Sequence, residues 1–306
     1  MSDPAEGGAD AEHVVSAAAR PPTRRRWVRW LLWALAAVAA VAAIAAGAFV
    51  YWGLTPQQAT REALLASASG GGFTVEHTAQ GWTFTPRGAP THPAWATGLV
   101  LYPGGHVDPR AYAPLAREIA LHGYLVVVPP MPLSLAFLDV DAASGAMAAH
   151  PEVGIWAVGG HSLGGTAACI YVDRHPRTVF GLVLLASYPA SSTDLSQAEN
   201  PKGEPLAAIS IRGSNDRLAT QAKIDRTRGL LPPGTIYMGL PGGNHAQFGS
   251  YGIQSGDGTA TMSATRQVRL TADAVSLFLE SLGKPKPLFR GNSRTPDGLP
   301  SSTPGK

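Results

Sequence analysis

The sequence predicts an α/β protein with a mostly parallel, doubly wound sheet, preceded by one amino-terminal transmembrane helix. Short apolar runs without polar alternation recur along the chain, as expected of strands that are covered on both faces. Stretches with helical periodicity lie between these runs, which is the pattern of parallel βαβ units. One uninterrupted apolar segment near the amino terminus is long enough to cross a bilayer.

The individual elements follow from these patterns. The predicted strands of the parallel sheet are residues 97–102, 124–128, 153–158, 179–185, 206–212 and 235–240. Helices are predicted at 56–66, 111–122, 133–149, 162–174, 221–230 and 263–282, and residues 73–76 and 82–85 are predicted to form an amino-terminal hairpin. Residues 73–283 together have the size of one domain.

The apolar segment spans residues 30–52 and carries no charged side chain. A bilayer-spanning helix needs about 20 mainly apolar residues. Aromatic residues at both ends, Tyr51 and Trp52 among them, are expected to form interfacial belts. Arginines stay in the cytoplasm, so the amino terminus is expected inside and the rest of the chain outside. The arginines on the amino-terminal side are Arg20, Arg24, Arg25, Arg26 and Arg29, and the first charges beyond the segment are Arg61 and Glu62.

Cleavage of this segment is the alternative to anchoring, and both place the rest of the chain outside the cytoplasmic membrane. Residues 46–48 (AGA) have the small-residue form of a signal-peptidase site, and residues 23–29 (TRRRWVR) resemble a twin-arginine export signal. The long apolar run and the aromatic residues beyond the possible cut favour the uncleaved anchor. The predicted organisation is a disordered cytoplasmic tail (1–26), the anchor (27–52), a linker (53–72), the domain (73–283) and a disordered tail (284–306).

Composition argues against several functional classes. The net charge of +3 is small, so nucleic acid is not expected as a partner. No metal-ligand spacing, Walker-type loop or dinucleotide fingerprint occurs, and we expect neither a cofactor nor a metal. Cys169 is the single cysteine, which excludes an intramolecular disulfide, and it is expected in the core.

A Gly-x-Ser-x-Gly motif stands at residues 160–164 (GHSLG), between a predicted strand and a predicted helix. A strand that turns sharply into a helix holds the central serine in a strained conformation. The two glycines leave room for the neighbouring backbone. Ser162 is therefore predicted to be a nucleophile.

In a serine-hydrolase triad built on such a turn, the acid follows the serine in the chain and the histidine follows the acid. Two further residues occur in this order. Asp216 comes directly after the predicted strand 206–212, and His245 comes after the predicted strand 235–240. His245 would take the proton from Ser162 during attack, and Asp216 would fix the tautomer of His245 and stabilise its protonated form.

The oxyanion of an acyl-transfer reaction must be met by backbone N–H groups that are already in place. One candidate is the amide of Leu163, directly after the nucleophile. The second is expected from the loop after strand 97–102, where Gly105 is our choice and Gly104 the next. His106 follows in this loop and is predicted to be a surface residue.

Residues 73 to about 283 resemble the α/β-hydrolase superfamily. YPGGHVDPRAYAPLA, GHSLGG, and GGNHAQFGSYG followed by QSGDG are similar to a compact bacterial branch related in outline to dienelactone hydrolases. The resemblance implies the α/β-hydrolase fold and esterase-type chemistry, with Ser162, Asp216 and His245 as the triad. Dienelactone hydrolases use a cysteine nucleophile, so their specificity is not carried over.

Residues 187–205 are too short and polar to form a helical cap, so the lid is expected to be minimal and the site open, suited to small or extended esters. Gln247, Gln254 and Asp257 are expected to border the site, orient His245 or face solvent. The prediction is a membrane-anchored serine hydrolase outside the cytoplasmic membrane, acting on a small-molecule or lipid-like carboxylic ester. The alternatives are acyl transfer to a cell-envelope alcohol and a catalytically silent binding module, and thioester or amide cleavage stays open.

Overall fold

The computed structural model describes residues 24–87 and 97–283, in two compact units, Met1–Val50 and Tyr51–Lys306. Helix α1 (Arg24–Leu54) supplies the described part of the first unit, and its last four residues, 51–54, belong to the second. Its stretch Arg26–Leu54 has a mean hydropathy of 2.3 and is long and apolar enough to span a membrane, judged by length and composition alone. Residues 1–23 and 284–306, where disordered tails are predicted, lie outside the described residues.

The second unit is built on one eight-stranded sheet with the order β1-β2-β4-β3-β5-β6-β7-β8. Strands β1 and β2 form the predicted antiparallel hairpin, β2 pairs antiparallel with β4, and the other neighbouring strands are parallel. The mostly parallel sheet is therefore confirmed. The strands are β1 (Phe73–Thr78), β2 (Gly81–Pro86), β3 (Thr97–Tyr102), β4 (Leu125–Val128), β5 (Ile155–His161), β6 (Gly181–Leu185), β7 (Ala207–Gly213) and β8 (Ile236–Leu240).

Helices cover both faces of this sheet, as a doubly wound fold requires. Leu99 and Leu101 of β3 point into one core, which α2, α3 and α7 complete. The alternate residues Val100 and Tyr102 point into the other core, which α4 and α5 complete. Cys169 of α5 is fully buried there, and burial raises the pKa of its thiol. The helices of this unit are α2 (Arg61–Ala66), α3 (Ala113–Leu121), α4 (Ala142–Ala148), α5 (Leu163–Arg174), α6 (Gln221–Thr227) and α7 (Ala264–Leu282).

The long helix predicted over residues 133–149 is wrong. Its first part consists of two short 3-10 turns, Pro132–Ser134 and Ala136–Leu138, and only Ala142–Ala148 is α-helical. Ser134 has a left-handed backbone, with φ 57°. It accepts a hydrogen bond at its carbonyl from the His106 amide (2.7 Å) and donates one from its hydroxyl to the Gly53 carbonyl (2.9 Å). These tertiary bonds replace the intrahelical ones.

The segment predicted as a linker, residues 53–72, is folded onto the domain. The helix predicted at 56–66 begins only at Arg61, because Thr60 is extended and its side chain caps the helix by accepting a hydrogen bond from the Ala63 amide. Ala63 and Ala66 are buried in the core. The Thr60 amide also donates to the Ser250 carbonyl at 2.8 Å. The domain therefore begins earlier in the chain than the predicted boundary at residue 73.

The close contact between β5 and β6 gives a test of the sheet. A Cβ at Gly159 would overlap the carbonyl oxygen of Val183, whereas nothing lies within 4 Å of a Cβ at Gly145 of α4. Gly159→Ala is expected to lower the free energy of unfolding by about 1–3 kcal/mol through overpacking. Gly145→Ala, the matched control, is expected to raise it by about 0.5–1 kcal/mol because alanine favours the helix. Thermal unfolding of the purified full chain in detergent measures both, and equal effects would contradict this packing.

Candidate active site

Ser162 lies at the turn between β5 and α5 and has a strained backbone, with φ 52° and ψ −122°. A non-glycine residue in such a conformation costs about 1–3 kcal/mol and persists only where its surroundings hold it. The Ser162 amide donates to the Leu185 carbonyl at 2.9 Å, and the Ser187 hydroxyl donates to the Ser162 carbonyl at 2.6 Å. The neighbouring strand β6 and the residues after it thus fix the turn.

The two glycines of the motif are required by the packing of this turn. A Cβ at Gly160 would overlap the backbone of Gly164. A Cβ at Gly164 would overlap the carbonyl oxygens of Tyr102 and Pro103, at the end of β3. The first turn of α5 therefore lies directly against two strand ends, as the motif predicts for a nucleophile turn.

The structure brings Asp216 and His245 together, although 28 residues separate them in the sequence. Asp216 follows β7 and His245 follows β8, and their side chains are buried with Asp216 Oδ2 2.9 Å from His245 Nδ1. The amides of Leu218 and Ala219 donate to Asp216 Oδ1 at 2.8 Å and 2.7 Å. With both carboxylate oxygens engaged, the orientation of Asp216 is fixed.

The hydrogen bond to Asp216 places the proton of a neutral His245 on Nδ1, which leaves Nε2 as an acceptor. Nε2 is buried and has no hydrogen-bond partner among the residues that the structure describes. The ring of His161, the residue before Ser162, lies 4.6 Å from the His245 ring, centroid to centroid. The histidine loop and the serine turn are therefore adjacent.

Gly105 and Leu163, whose amides are the predicted oxyanion donors, lie close together in the structure. A Cβ at Gly105 would lie 2.7 Å from Leu163 Cδ2. Within residues 24–87 and 97–283, neither the Gly105 amide nor the Leu163 amide has a hydrogen-bond partner. The Gly104 amide, in contrast, donates to the Tyr112 hydroxyl at 2.8 Å. This engagement favours Gly105 over Gly104 as the donor.

Sequence reasoning missed a buried network that joins this loop to the serine turn. The Tyr112 oxygen accepts a hydrogen bond from the Gly104 amide, and the same hydroxyl is hydrogen-bonded to His161 Nδ1, 2.8 Å away. Tyr112 and His161 are both buried. Burial, and after it the nearby charge of His245, lowers the pKa of His161 well below its ordinary value. The only sequence signal was a histidine within the Gly-x-Ser-x-Gly motif.

Polar residues after His245 hold its loop. Asp257 Oδ2 accepts from the Ala246 amide at 2.9 Å, and Oδ1 accepts from the Gly258 amide at 2.7 Å. Gln254 Oε1 accepts from the Tyr251 hydroxyl at 2.8 Å. The Gln247 amide donates to Asn244 Oδ1 at 3.1 Å. Asp257 therefore supports the histidine loop through the backbone next to His245.

The remaining predictions concern the rim and metals. Residues 187–205 contain no helix, in agreement with the minimal lid. His106 stacks on Trp52 and does not stand free on the surface. In the part of the chain that the structure describes, no group of three His, Cys, Asp or Glu side chains is placed to hold a metal ion.

The sheet and the loops at its edge define a protein of the α/β-hydrolase class. A family model described as "Alpha/beta hydrolase family" matches residues 98–269, more than half of the chain, and the chain belongs to that family. No curated protein matches.

Solved structures similar to this chain include two hydrolases of other organisms. One is a predicted CIB-like hydrolase from Thermoplasma acidophilum, with 14% identity, a TM-score of 0.48, and coverage of 67% of this chain and 100% of that chain. Another is the esterase domain of a Rhodothermus marinus protein, with 12% identity, a TM-score of 0.46, and coverage of 69% of this chain and 98% of that chain.

The lowered pKa of His161 predicts a dependence of stability on pH. Its pKa in the folded state lies below the ordinary value of 6.5, so below pH 6.5 the unfolded chain binds more protons at this position. Above pH 6.5 the free energy of unfolding is therefore not reduced by this histidine. Below pH 6.5 it falls progressively as the pH falls. His161→Asn keeps an amide that can hydrogen-bond the Tyr112 hydroxyl but does not titrate. Between about pH 7.5 and pH 5, the Tm of the wild type is expected to fall more steeply with decreasing pH than the Tm of His161→Asn. Parallel curves of Tm against pH would contradict the lowered pKa of His161.

Proposed function

We propose that this protein is a serine hydrolase that cleaves carboxylic esters. The observation that carries the proposal is the buried Asp216–His245 pair, joined at 2.9 Å, next to a serine held in a strained strand-to-helix turn. A serine hydroxyl is a weak nucleophile by itself and needs an adjacent base that a third group orients. Ser162, His245 and Asp216 are the residues that we assign to these three roles.

In the first half of the reaction, Ser162 Oγ attacks the ester carbonyl and His245 Nε2 takes the hydroxyl proton. Asp216, hydrogen-bonded to Nδ1, stabilises the imidazolium that forms. The negative charge that develops on the carbonyl oxygen is met by the amides of Gly105 and Leu163. Loss of one such donor costs about 10²–10³ in kcat in enzymes of this kind.

The tetrahedral intermediate then collapses, the ester C–O bond breaks, and the leaving alkoxide receives the proton from His245. The acyl group is now bound to Ser162 Oγ. In the second half, His245 takes a proton from water as the water attacks the acyl carbon, and this proton returns to Ser162 Oγ when the carboxylic acid leaves. Each half uses the same base and the same two amides, so no further catalytic group is needed.

His161 supports this chemistry by staying neutral. It lies beside His245, and a positive charge there would oppose the formation of the His245 imidazolium. Its lowered pKa keeps it uncharged at neutral pH. The Tyr112 hydroxyl, 2.8 Å from His161 Nδ1, gives the buried neutral ring a hydrogen-bond partner.

For the substrate, we propose a small-molecule or lipid-like ester that enters an open site. Residues 187–205, where enzymes of this class often carry a cap, form turns and extended chain. For the location, we propose that Arg26–Leu54 is an uncleaved membrane anchor and that the catalytic domain lies outside the cytoplasmic membrane. The arginines before this helix support that orientation.

A fluorophosphonate probe tests for the activated serine directly. The full-length wild type in membranes is expected to be labelled, with the adduct on the peptide that contains Ser162. Ser162→Ala is expected to abolish labelling and to lower ester turnover by at least ~10³-fold, because the nucleophile is lost. Gel fluorescence and peptide mass spectrometry measure both effects.

The matched control is Ser144→Ala, which removes a serine hydroxyl on α4 that lies 3.0 Å from the hydroxyl of Tyr171 on α5. It is expected to label as the wild type does. A folded wild type without labelling, or a Ser162→Ala variant that labels normally, would exclude the proposed catalytic serine.

The anchor is tested by protease treatment of spheroplasts that express the chain with an amino-terminal tag. The catalytic domain is expected to be digested from outside while the tag, with residues 1–23, stays protected by the membrane. The intact mass of the mature protein is expected to include the amino terminus. A mature chain that begins near Phe49 would show signal cleavage, and a protected catalytic domain would reverse the orientation.

A further inference from the structure

The loop that carries Gly105 is held by residues at the carboxyl end of the apolar helix α1 (Arg24–Leu54) and directly after it. The rings of Trp52 and His106 are stacked, with centroids 4.1 Å apart and an interplanar angle of 3°. His106 Nε2 also lies 2.7 Å from the Trp52 carbonyl oxygen, so a proton on Nε2 is donated to it. Both residues belong to the second compact unit, Tyr51–Lys306.

Backbone hydrogen bonds extend this contact. The Gln57 amide donates to the His106 carbonyl at 2.9 Å, and the Asp108 amide donates to the Gln57 carbonyl at 3.0 Å. Gln57 thereby forms a parallel bridge with Val107. The chain on both sides of His106 is thus tied to residues 52–57, the end of helix α1 and the three residues after it, which we call the juxtamembrane segment.

A third set of contacts involves the turn around Ser134. The His106 amide donates to the Ser134 carbonyl at 2.7 Å, and the Ser134 hydroxyl donates to the Gly53 carbonyl at 2.9 Å. A Cβ at Gly53 would lie 2.6 Å from Leu133 Cβ, so this close approach requires glycine. Ser134 therefore connects the juxtamembrane segment to the Gly105 loop from a second side.

These contacts are needed because the loop is strained. His106, directly after Gly105, has φ 57°, a left-handed conformation that is strained for a non-glycine residue. Without an external hold, the residue would relax and turn the neighbouring peptide. Gly105 directly precedes the strained residue His106. The direction of the Gly105 N–H decides whether this N–H reaches the developing oxyanion.

We propose that Trp52 and Gly53 are positioning residues of the active site, which hold His106 and thereby aim the Gly105 amide. This inference rests on the proposed function. Neither residue touches the reacting atoms. The carboxyl end of the apolar helix is then part of the catalytic architecture and does more than anchor the domain. A cut after Ala48 would leave this hold in place.

The test compares three full-length variants in detergent. Trp52→Ala removes the stacking surface and is expected to lower kcat by roughly 10–100-fold with little change in KM, since misplacement of about 1 Å can cost 10²-fold. Trp52→Phe keeps a flat ring and is expected to recover most of kcat. Tyr51→Ala is the matched control: Tyr51 precedes Trp52, is 72% exposed, and should leave kcat unchanged.

Hydrogen exchange supplies a readout that does not depend on turnover. Trp52→Ala is expected to speed exchange of the amides at residues 104–108 and to leave those of β5 unchanged. A Trp52→Ala variant with wild-type kcat and unchanged exchange would overturn the positioning role. So would a rise in KM alone, which would make Trp52 a substrate contact. A wild type that fluorophosphonate does not label overturns the proposed function, whereas a labelled wild type with an unaffected Trp52→Ala overturns only the positioning role.

Discussion

Gly160 and Gly164 let the end of β5 and the first turn of α5 approach so closely that neither position has room for a side chain. This backbone contact keeps Ser162 in its strained conformation, and the hydrogen bonds from the Ser162 amide to Leu185 and from Ser187 to the Ser162 carbonyl reinforce it. The ring of His161, the residue before Ser162, lies 4.6 Å from the His245 ring, so the same contact keeps the serine turn beside the histidine loop. The position of Leu163, whose amide opens helix α5, depends on the same contact.

The parallel sheet brings the other groups to this point. Strands β3, β5, β7 and β8 run in the same direction, so the loops after them meet at one edge. A Cβ at Gly213 would overlap the backbone of Gly243, which shows how closely the acid and histidine loops pack. Tyr112 then links the Gly105 loop to His161. Each group that we assign to catalysis is thus held in place by contacts with other segments of the chain.

Local sequence patterns were sufficient for the strands, the serine turn and the positions of Asp216 and His245, because each depends on short-range signals: an apolar run and the polar or glycine residues that end it. Patterns failed where distant residues decide the backbone. The helix predicted at 133–149 is broken by hydrogen bonds from Ser134 to residues far away in the sequence. Residues 53–72 are predicted to be a linker but pack on the domain, and no local pattern indicates this packing. The contacts of Tyr112 with His161 and of Trp52 with His106 depend on the tertiary fold in the same way.

The formation of an acyl-enzyme on Ser162 is the central claim, and trapping it is the most direct measurement. The full-length protein is mixed rapidly with p-nitrophenyl acetate, quenched in acid and mapped by peptide mass spectrometry. We expect a burst of nitrophenol equal to the enzyme concentration and an acetyl group on Ser162. Steady turnover with no acyl group on the protein, or with the acyl group on another residue, would contradict it.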